Sequence, residues 1–506
     1  MPSYSKVEDI KPLATEDFKL FFKGVTGRDF VEGGQKLSSN CEVLFLSSHL
    51  VDLRYWAYVV QRPALARTVR LIVVDDATLL ACLVDPSRTE LRQLAGPHLM
   101  MDCPLERTPD NEAWKVDWNR QKAWGRREDL GPSQRQEMFN HQCEWLMNEA
   151  EAHFEIRENL LDKKLFLKAR KANQLPNFTR LVLTHLPEER EIFGQPEPPY
   201  TPPTRSPSVQ KWEAEFPEGP LPLSGVRPRV SWNWPTRDTS APLEDLQHHL
   251  PRRPTGCFHL LPVCAPFRGL SIILDVLNET KTWVSEFSIL DGSDFPGTLA
   301  SLAGQSGFPM SFFLIPEFRH HVSRLGNIIE KLSVLRLSIS CWDIRQGEHW
   351  GALLQLISKA KKLKVLHLKL EDLAEYYMPE LFDAINSLPL EELHLDGVVF
   401  SKRAFLLFLY KQRSTLKKLA MDGCFYGGSS WQRLLEEART TRGVLQVEEL
   451  YINTGYIKDP HSLGYLIDEF LVLPSVPRHL IMSNGRALWR RWMAEPTPEN
   501  FPLALE

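Results

Sequence analysis

Two histidines occupy matching slots of two similar phrases, VLHLKL with His367 and ELHLDG with His394. If each phrase is a strand and the strands are neighbours, alternate side chains share a face and the imidazoles stand one rung apart. Such a pair could seed a metal site, or it could belong to an ordinary polar surface. Asp75-Asp76 ends the alternating run Val69, Leu71, Val73. Paired acids there could carry a metal or a proton, although acids at a strand end more often serve the turn. His248-His249 and His320-His321 are sequence neighbours, so their rings fall on opposite faces of a strand or divergent faces of a helix, and neither pair converges on an ion. The chain has no GxSxG, no P-loop, no HExxH and no GxGxxG after a strand. Its eight cysteines (Cys41, Cys82, Cys103, Cys143, Cys257, Cys264, Cys341, Cys424) include no CxxC pair, which argues against zinc and for reduced, buried thiols. The expectation is a non-enzymatic protein with no catalytic residue, cofactor or metal.

The remaining chemistry is polar recognition, and composition bounds its partners. The 60 basic and 64 acidic residues give a formal net charge of -4, unlike the basic balance of a nucleic-acid binder. No apolar run approaches the ~20 residues of a membrane span. AFLLFLY at 404–410 is among the longest. The opening MPSYSKVEDIKPLATEDF has no signal-peptide core. No nucleic acid and no membrane are expected as partners, and the cytoplasm or nucleus is the expected location.

What positions the histidines is a repeat. LPLEELHLDG (388–397) is echoed by STLKKLAMDG (414–423). The frame Leu-x-x-Leu-x-Leu fits Leu332, Leu335, Leu337; Leu363, Leu366, Leu368; Leu390, Leu393, Leu395; Leu416, Leu419, Met421; and Val447, Leu450, Ile452. Successive anchors lie 31, 27, 26 and 31 residues apart, close to the period of leucine-rich repeats. Val284, Phe287, Ile289 and Phe178, Leu181, Leu183 extend the frame upstream. Between matches come segments of helical spacing, at 268–280, 349–362, 379–388, 400–412 and 429–440, the last with Ser429 and Gln432 as a capping box. One strand and one helix cannot bury their own apolar faces; stacked units can. The predicted fold is α/β, a leucine-rich-repeat-type solenoid with a parallel strand ladder and helices outside, plus a mainly helical N-terminal region.

The expected organisation follows. Residues 1–62 form a helical segment, with Leu50, Leu53, Trp56, Ala57 and Val60 at helical spacing. Residues 63–177 supply a strand and then helices at 133–154 and 155–173. The solenoid runs over 178–480. Its insertion, 187–255, holds proline too densely for helix or central strand, and PEPPYTPPTRSPS (196–208) has polyproline character. Residues 481–506 cap the array, with RALWRRWMAEP (486–496) covering its last open repeat.

Three segments carry a family likeness. LSSHLVDLRYWAYVVQRPALARTVRLIVVDDATLL (46–80), LPVCAPFRGLSIILDVLNET (261–280) and IIEKLSVLRLSIS (328–340) resemble stretches of filamentous-fungal F-box proteins: the helix, proline and acid-ended strand after the F-box, and later the leucine-rich ladder. The resemblance implies a substrate receptor of an SCF-type ubiquitin ligase, with a target protein on the ladder and a Skp-type adaptor at the N-terminus. Residues 1–40 lack the Leu-Pro-x-Glu phrase with which an F-box usually opens. Residues 1–62 therefore read as a degenerate or truncated F-box region, and a repeat scaffold with no ubiquitin-ligase link is the alternative.

In a repeat array the partner lies on the strand ladder. Its expected concave face carries Arg336, Lys364, His367, Lys369, Glu391, His394, Asp396, Lys417, Asp422, Glu448, Tyr451 and Asn453. Charge alternates by rung, with Lys364, Glu391-Glu392, Lys417-Lys418 and Glu448-Glu449, so cross-strand pairing competes with partner binding for these groups. Asp396 and Asp422 are placed to bond the turn backbone, and Gly397 and Gly423 to supply its unusual dihedrals.

Overall fold

The structure, a computed structural model, describes residues 4–26, 29–30, 41–75, 152–153, 155–184, 268–289, 308–314, 318–340, 350–371, 380–422, 424–426 and 447–453, with single positions at 207, 210, 211 and 434. It is α/β, with parallel strands and intervening helices. The chain divides into two compact units, Met1–Val284 with Ile289–Phe308, and Ser285–Ser288 with Pro309–Glu506.

In the first unit, β1 (Val43–Leu46), β2 (Leu71–Asp75) and β3 (Arg180–Thr184) pair in parallel in that order. Around them stand α1 (Thr15–Thr26), α2 (Leu50–Val60), the short α3 (Pro63–Ala66), α4 (Leu161–Lys171) and α5 (Arg268–Thr280). Every residue of β1 and β2 is buried. Continuous apolar runs such as VLFL and LIVV are what a parallel strand covered on both faces requires. β1 lies inside 1–62, where helix was expected. Four apolar residues are too few for periodicity to separate strand from helix. α2 and α5 match their sequence spacing, and α4 falls within the expected 155–173; the helix expected at 133–154 lies outside the described residues except 152 and 153. α4 packs on both α2 and α5, and Lys163 Nζ meets Asp275 Oδ2 at 2.6 Å across the α4–α5 contact.

The second unit repeats one motif. Its elements are β4 (Glu286–Ile289, through Ser288), α6 (Arg319–Ile329), β6 (Val334–Ser340), α7 (Trp350–Ser358), β7 (Val365–Glu371), α8 (Leu381–Ile385), β8 (Glu392–Asp396), α9 (Lys402–Gln412), β10 (Lys418–Asp422) and β12 (Glu449–Asn453). The two-residue β5 (Phe308–Pro309) precedes α6. Strands β6, β7, β8, β10 and β12 pair in parallel in that order. The register aligns Leu335, Leu366, Leu393, Leu419 and Leu450 in one row. Leu337, Leu368, Leu395, Met421 and Ile452 form the next. Leu335, Leu366, Leu393 and Leu395 are fully buried, each worth about 2 kcal/mol of transfer free energy. Helices α6 to α9 pack on one another in sequence order.

Three details tie rung to rung. The Cys424 thiol donates to the Leu395 carbonyl at 3.4 Å. Buried Gln412 donates from Nε2 to the carbonyls of Asn386 and Leu388, both at 2.9 Å, and accepts from Thr415 Oγ1 at 2.8 Å. A two-stranded ribbon, β9 (Val399–Phe400) against β11 (Phe425–Tyr426), follows β8 and β10 at equal offsets. α9 starts on Ser401, whose hydroxyl accepts from Ala404 N at 3.1 Å. The proline-rich 187–255 segment and the 481–506 cap, including Trp489 and its neighbours, lie outside the described residues apart from 207, 210 and 211. So does the helix expected at 429–440, apart from Leu434, which is helical and buried.

Candidate protein-binding face

Strands β7, β8 and β10 bury only one face, whereas Ser338 on the other parity of β6 is buried as well. In β8 burial alternates along Glu392, Leu393, His394, Leu395 and Asp396, with the leucines inside. The other parity forms three polar rows. Arg336, His367, His394, Ala420 and Tyr451 align in the middle row; Val334, Val365, Glu392, Lys418 and Glu449 on one side; and Ser338, Lys369, Asp396, Asp422 and Asn453 on the other. Eight of the sequence-selected residues thus share one face by register: Arg336, His367, Lys369, His394, Asp396, Asp422, Tyr451 and Asn453. The side chains of Asp422, Tyr451 and Asn453 lie outside the described set.

Lys364, Glu391 and Lys417 sit elsewhere. Each immediately precedes its strand, on the sheet's N-terminal rim. Glu391 bridges Lys364 at 2.7 Å and Lys417 at 3.1 Å. The two lysines hold the Glu391 carboxyl below its ordinary range, so the alternation of charge is realised as cross-rung pairing. Glu448 continues the rim, its backbone N–H donating to the Lys417 carbonyl at 2.7 Å.

On the face itself, His367 Nε2 lies 2.7 Å from Glu392 Oε1, and Arg336 Nη1 lies 3.9 Å from Glu286 Oε2. Burial pushes the His367 pKa down, against the opposing pull of Glu392, and nearby Arg336 adds to the lowering. The Glu392 carboxyl is held low, first by its hydrogen bond to His367. The consistent state at neutral pH is an ionised Glu392 accepting from the Nε2–H of a neutral His367. The His367 and His394 rings stand 5.2 Å apart at 63°, so the matched slots do bring them together. Among the described residues no group of three or more His, Cys, Asp or Glu is arranged to hold a metal ion. The face offers a guanidinium, imidazoles, an ammonium and carboxylates, which is equipment for hydrogen bonding and ion pairing with a surface.

The other candidates resolve differently. Asp75 ends β2 and is buried, while Asp76, His248 and His249 lie outside the described residues. His320 and His321 open α6 with ring centroids 3.8 Å apart, so the rings meet where divergence was expected. Cys41 and Cys424 are buried and in no disulfide, and burial pushes the Cys41 thiol up to about 12. No described helix is long and apolar enough to cross a membrane.

Sequence reasoning missed a buried polar cluster in the first unit. Arg268, opening α5, makes two bonds of 2.6 Å to the Asp162 carboxylate of α4, and Ser48 Oγ donates to the same group at 3.1 Å. Ser47 Oγ donates to Asp52 Oδ2 at 2.5 Å. The His49 and His153 rings pack edge to face at 4.7 Å, and neither ring nitrogen of buried His153 has a hydrogen-bond partner among the described residues. Desolvation, then the neighbouring His49, Arg157 and Arg268, drive the His153 pKa well down. Four side chains that can carry positive charge surround this spot, which disfavours a cation there. The only sequence signal was a charged residue at the head of an apolar helix, RGLSIILDVL, and an acid inside another, LVDLRYW. Comparison with protein-family models, with curated proteins and with solved structures finds no match to this chain.

Proposed function

We propose that this chain is a non-enzymatic protein-interaction module of leucine-rich-repeat type, whose polar strand face holds a target protein. The carrying observation is the register: rows of leucines run rung to rung beside rows of polar residues, with burial alternating along β7, β8 and β10. In a solenoid of this kind the polar rows are the binding surface. The resemblance to fungal F-box proteins extends the reading to a substrate receptor of an SCF-type ubiquitin ligase, in the cytoplasm or nucleus, with a Skp-type adaptor at the N-terminal region. Leu20, 65% exposed on α1, is an apolar side chain suited to that contact.

Quantitative affinity proteomics on the full chain tests the target face. His394→Glu with Ala420→Arg should deplete a defined set of partners; recovery of the same partners at the same level rejects the reading. Purified Skp-type adaptor should co-elute with the chain and be released by Leu20→Asp. Absence of co-elution leaves the second reading, a repeat scaffold without a ligase link, which the missing Leu-Pro-x-Glu phrase in residues 1–40 favours.

A further inference from the structure

Three consecutive links feed β7, β8 and β10, at residues 359–364, 386–391 and 413–417. They lie side by side. Lys361 Nζ reaches Ser387 Oγ at 3.3 Å, Glu391 N donates to the Lys364 carbonyl at 2.7 Å, and Lys417 N donates to the Glu391 carbonyl at 2.8 Å. The first link carries Lys359, Lys361, Lys362 and Lys364 and no acid. The third ends in Lys417, followed by Lys418, again with no acid. All six lysines are exposed, and the acids within these three links and the strands they enter are Glu391 and Glu392, with Glu448 and Glu449 following on the next rung beyond Lys417 and Lys418. Glu391 is shared between two of the lysines. Lys359, Lys361 and Lys362 have no carboxylate partner among the described residues.

Helix ends account for part of this charge and not for all of it. One cation near the last turn complements a helix C-terminus, and α7 ends at Ser358, so Lys362 and Lys364 lie beyond its reach. Lysines held close together repel, and the cost is recovered when an anion binds. We propose that this rim, which adjoins the polar face at Glu392 and Lys418, is a second docking site, for an acidic segment of a partner protein. Neighbouring links stand about 4.8 Å apart, so about three residues of extended acidic chain cross all of them. Discrete carboxylates can straddle Glu391, whereas a phosphodiester backbone presents a charge at every nucleotide to it. The inference takes from the proposed function only that partners are proteins.

The test is fluorescence anisotropy of a labelled twelve-residue peptide of alternating glutamate and serine, titrated with the full chain at low and at physiological salt. Binding should weaken with salt, fall at least tenfold in Lys361→Glu with Lys362→Glu, and persist in Lys361→Arg with Lys362→Arg. Urea midpoints check folding. If the glutamate pair unfolds the chain, Lys359→Gln with Lys362→Gln gives the same reading. Equal affinity in the charge-reversed protein overturns the proposal, as does tighter binding of a twelve-nucleotide oligothymidine than of the peptide. His394→Glu with Ala420→Arg should leave peptide binding intact, so loss of the polar-face reading does not carry this one with it.

Discussion

Gly397 closes β8 with φ +69°, and a Cβ there would stand 2.3 Å from the carbonyl oxygen of Leu370 on the preceding rung. Gly397→Ala therefore meets two costs. A left-handed φ costs an L-residue about 1–2 kcal/mol. The overlap is with backbone, so it is relieved only by shifting the end of β7 against β8, about 1–3 kcal/mol by analogy with overpacked cores. Together they predict destabilisation of about 3 kcal/mol. Gly326, inside α6, gives the contrast: its added Cβ would lie 3.5 Å from Leu356 Cδ1, an ordinary contact. Gly326→Ala should stabilise by about 0.5–1 kcal/mol through helix propensity. The assay is urea unfolding of both variants, with hydrogen exchange of the 365–371 and 392–396 peptides as the local readout. At a typical m-value of about 2 kcal/mol/M the first variant loses about 1.5 M in midpoint. Equal protection in the Gly397→Ala protein, or the same sign for both glycines, would refute the reasoning, because it would mean that β7 and β8 are not locked in the stated register.

Three further outcomes follow from buried polar groups. Gln412→Leu removes the donor to the Asn386 and Leu388 carbonyls and should cost about 2–3 kcal/mol, seen as a lower thermal midpoint. Asp162→Asn strips the buried Arg268 of its two-bond partner and should cost about 3–5 kcal/mol in urea, while Asp162→Leu with Arg268→Met recovers much of it. The pH dependence comes from His153. Its folded pKa lies well below 6.5, so below that value the unfolded chain takes up a proton that the folded chain refuses, and stability falls with acidification; above it both states are neutral and nothing changes. The loss should approach about 1.4 kcal/mol per pH unit between pH 6.5 and the folded pKa, and His153→Gln should flatten the urea-midpoint profile between pH 7.5 and 5.5.

Much of the second unit was legible in the sequence because its strands advertise a period. Alternation in VLHLKL and ELHLDG marks both the buried and the polar parity, and a repeat of 26 or 27 residues aligns neighbouring copies. That is enough to pair His367 with His394 before any coordinates. It is not enough to place Lys364, Glu391 and Lys417, which occupy the first position before the strand, where the alternation has not begun. β1 was missed because a strand buried on both faces has no alternation to read. The Asp162–Arg268 pair was missed because its members are 106 residues apart and neither has a local pattern. The β9–β11 ribbon, two residues long, falls below what any periodicity can carry.

The same contrast in burial decides where recognition can reside. β1 and β2 bury every side chain on both faces, so nothing on those strands is left for a partner to touch. Their polar neighbours, Ser47, Ser48 and Asp162, turn inward and spend their bonds holding α4, α5 and the β1–α2 link together. In β7, β8 and β10 of the second unit only alternate residues go to the core. The remainder accumulate in rows, and one addition to the stack extends every row by one residue. A surface made this way has a composition that can change rung by rung while the leucine rows stay fixed. Substitution tests this directly. Lys369→Glu on a polar row should leave the urea midpoint nearly unchanged, as an exposed or half-buried change does. Leu368→Ala, one residue before it and on the opposite face, should cost about 3–4 kcal/mol.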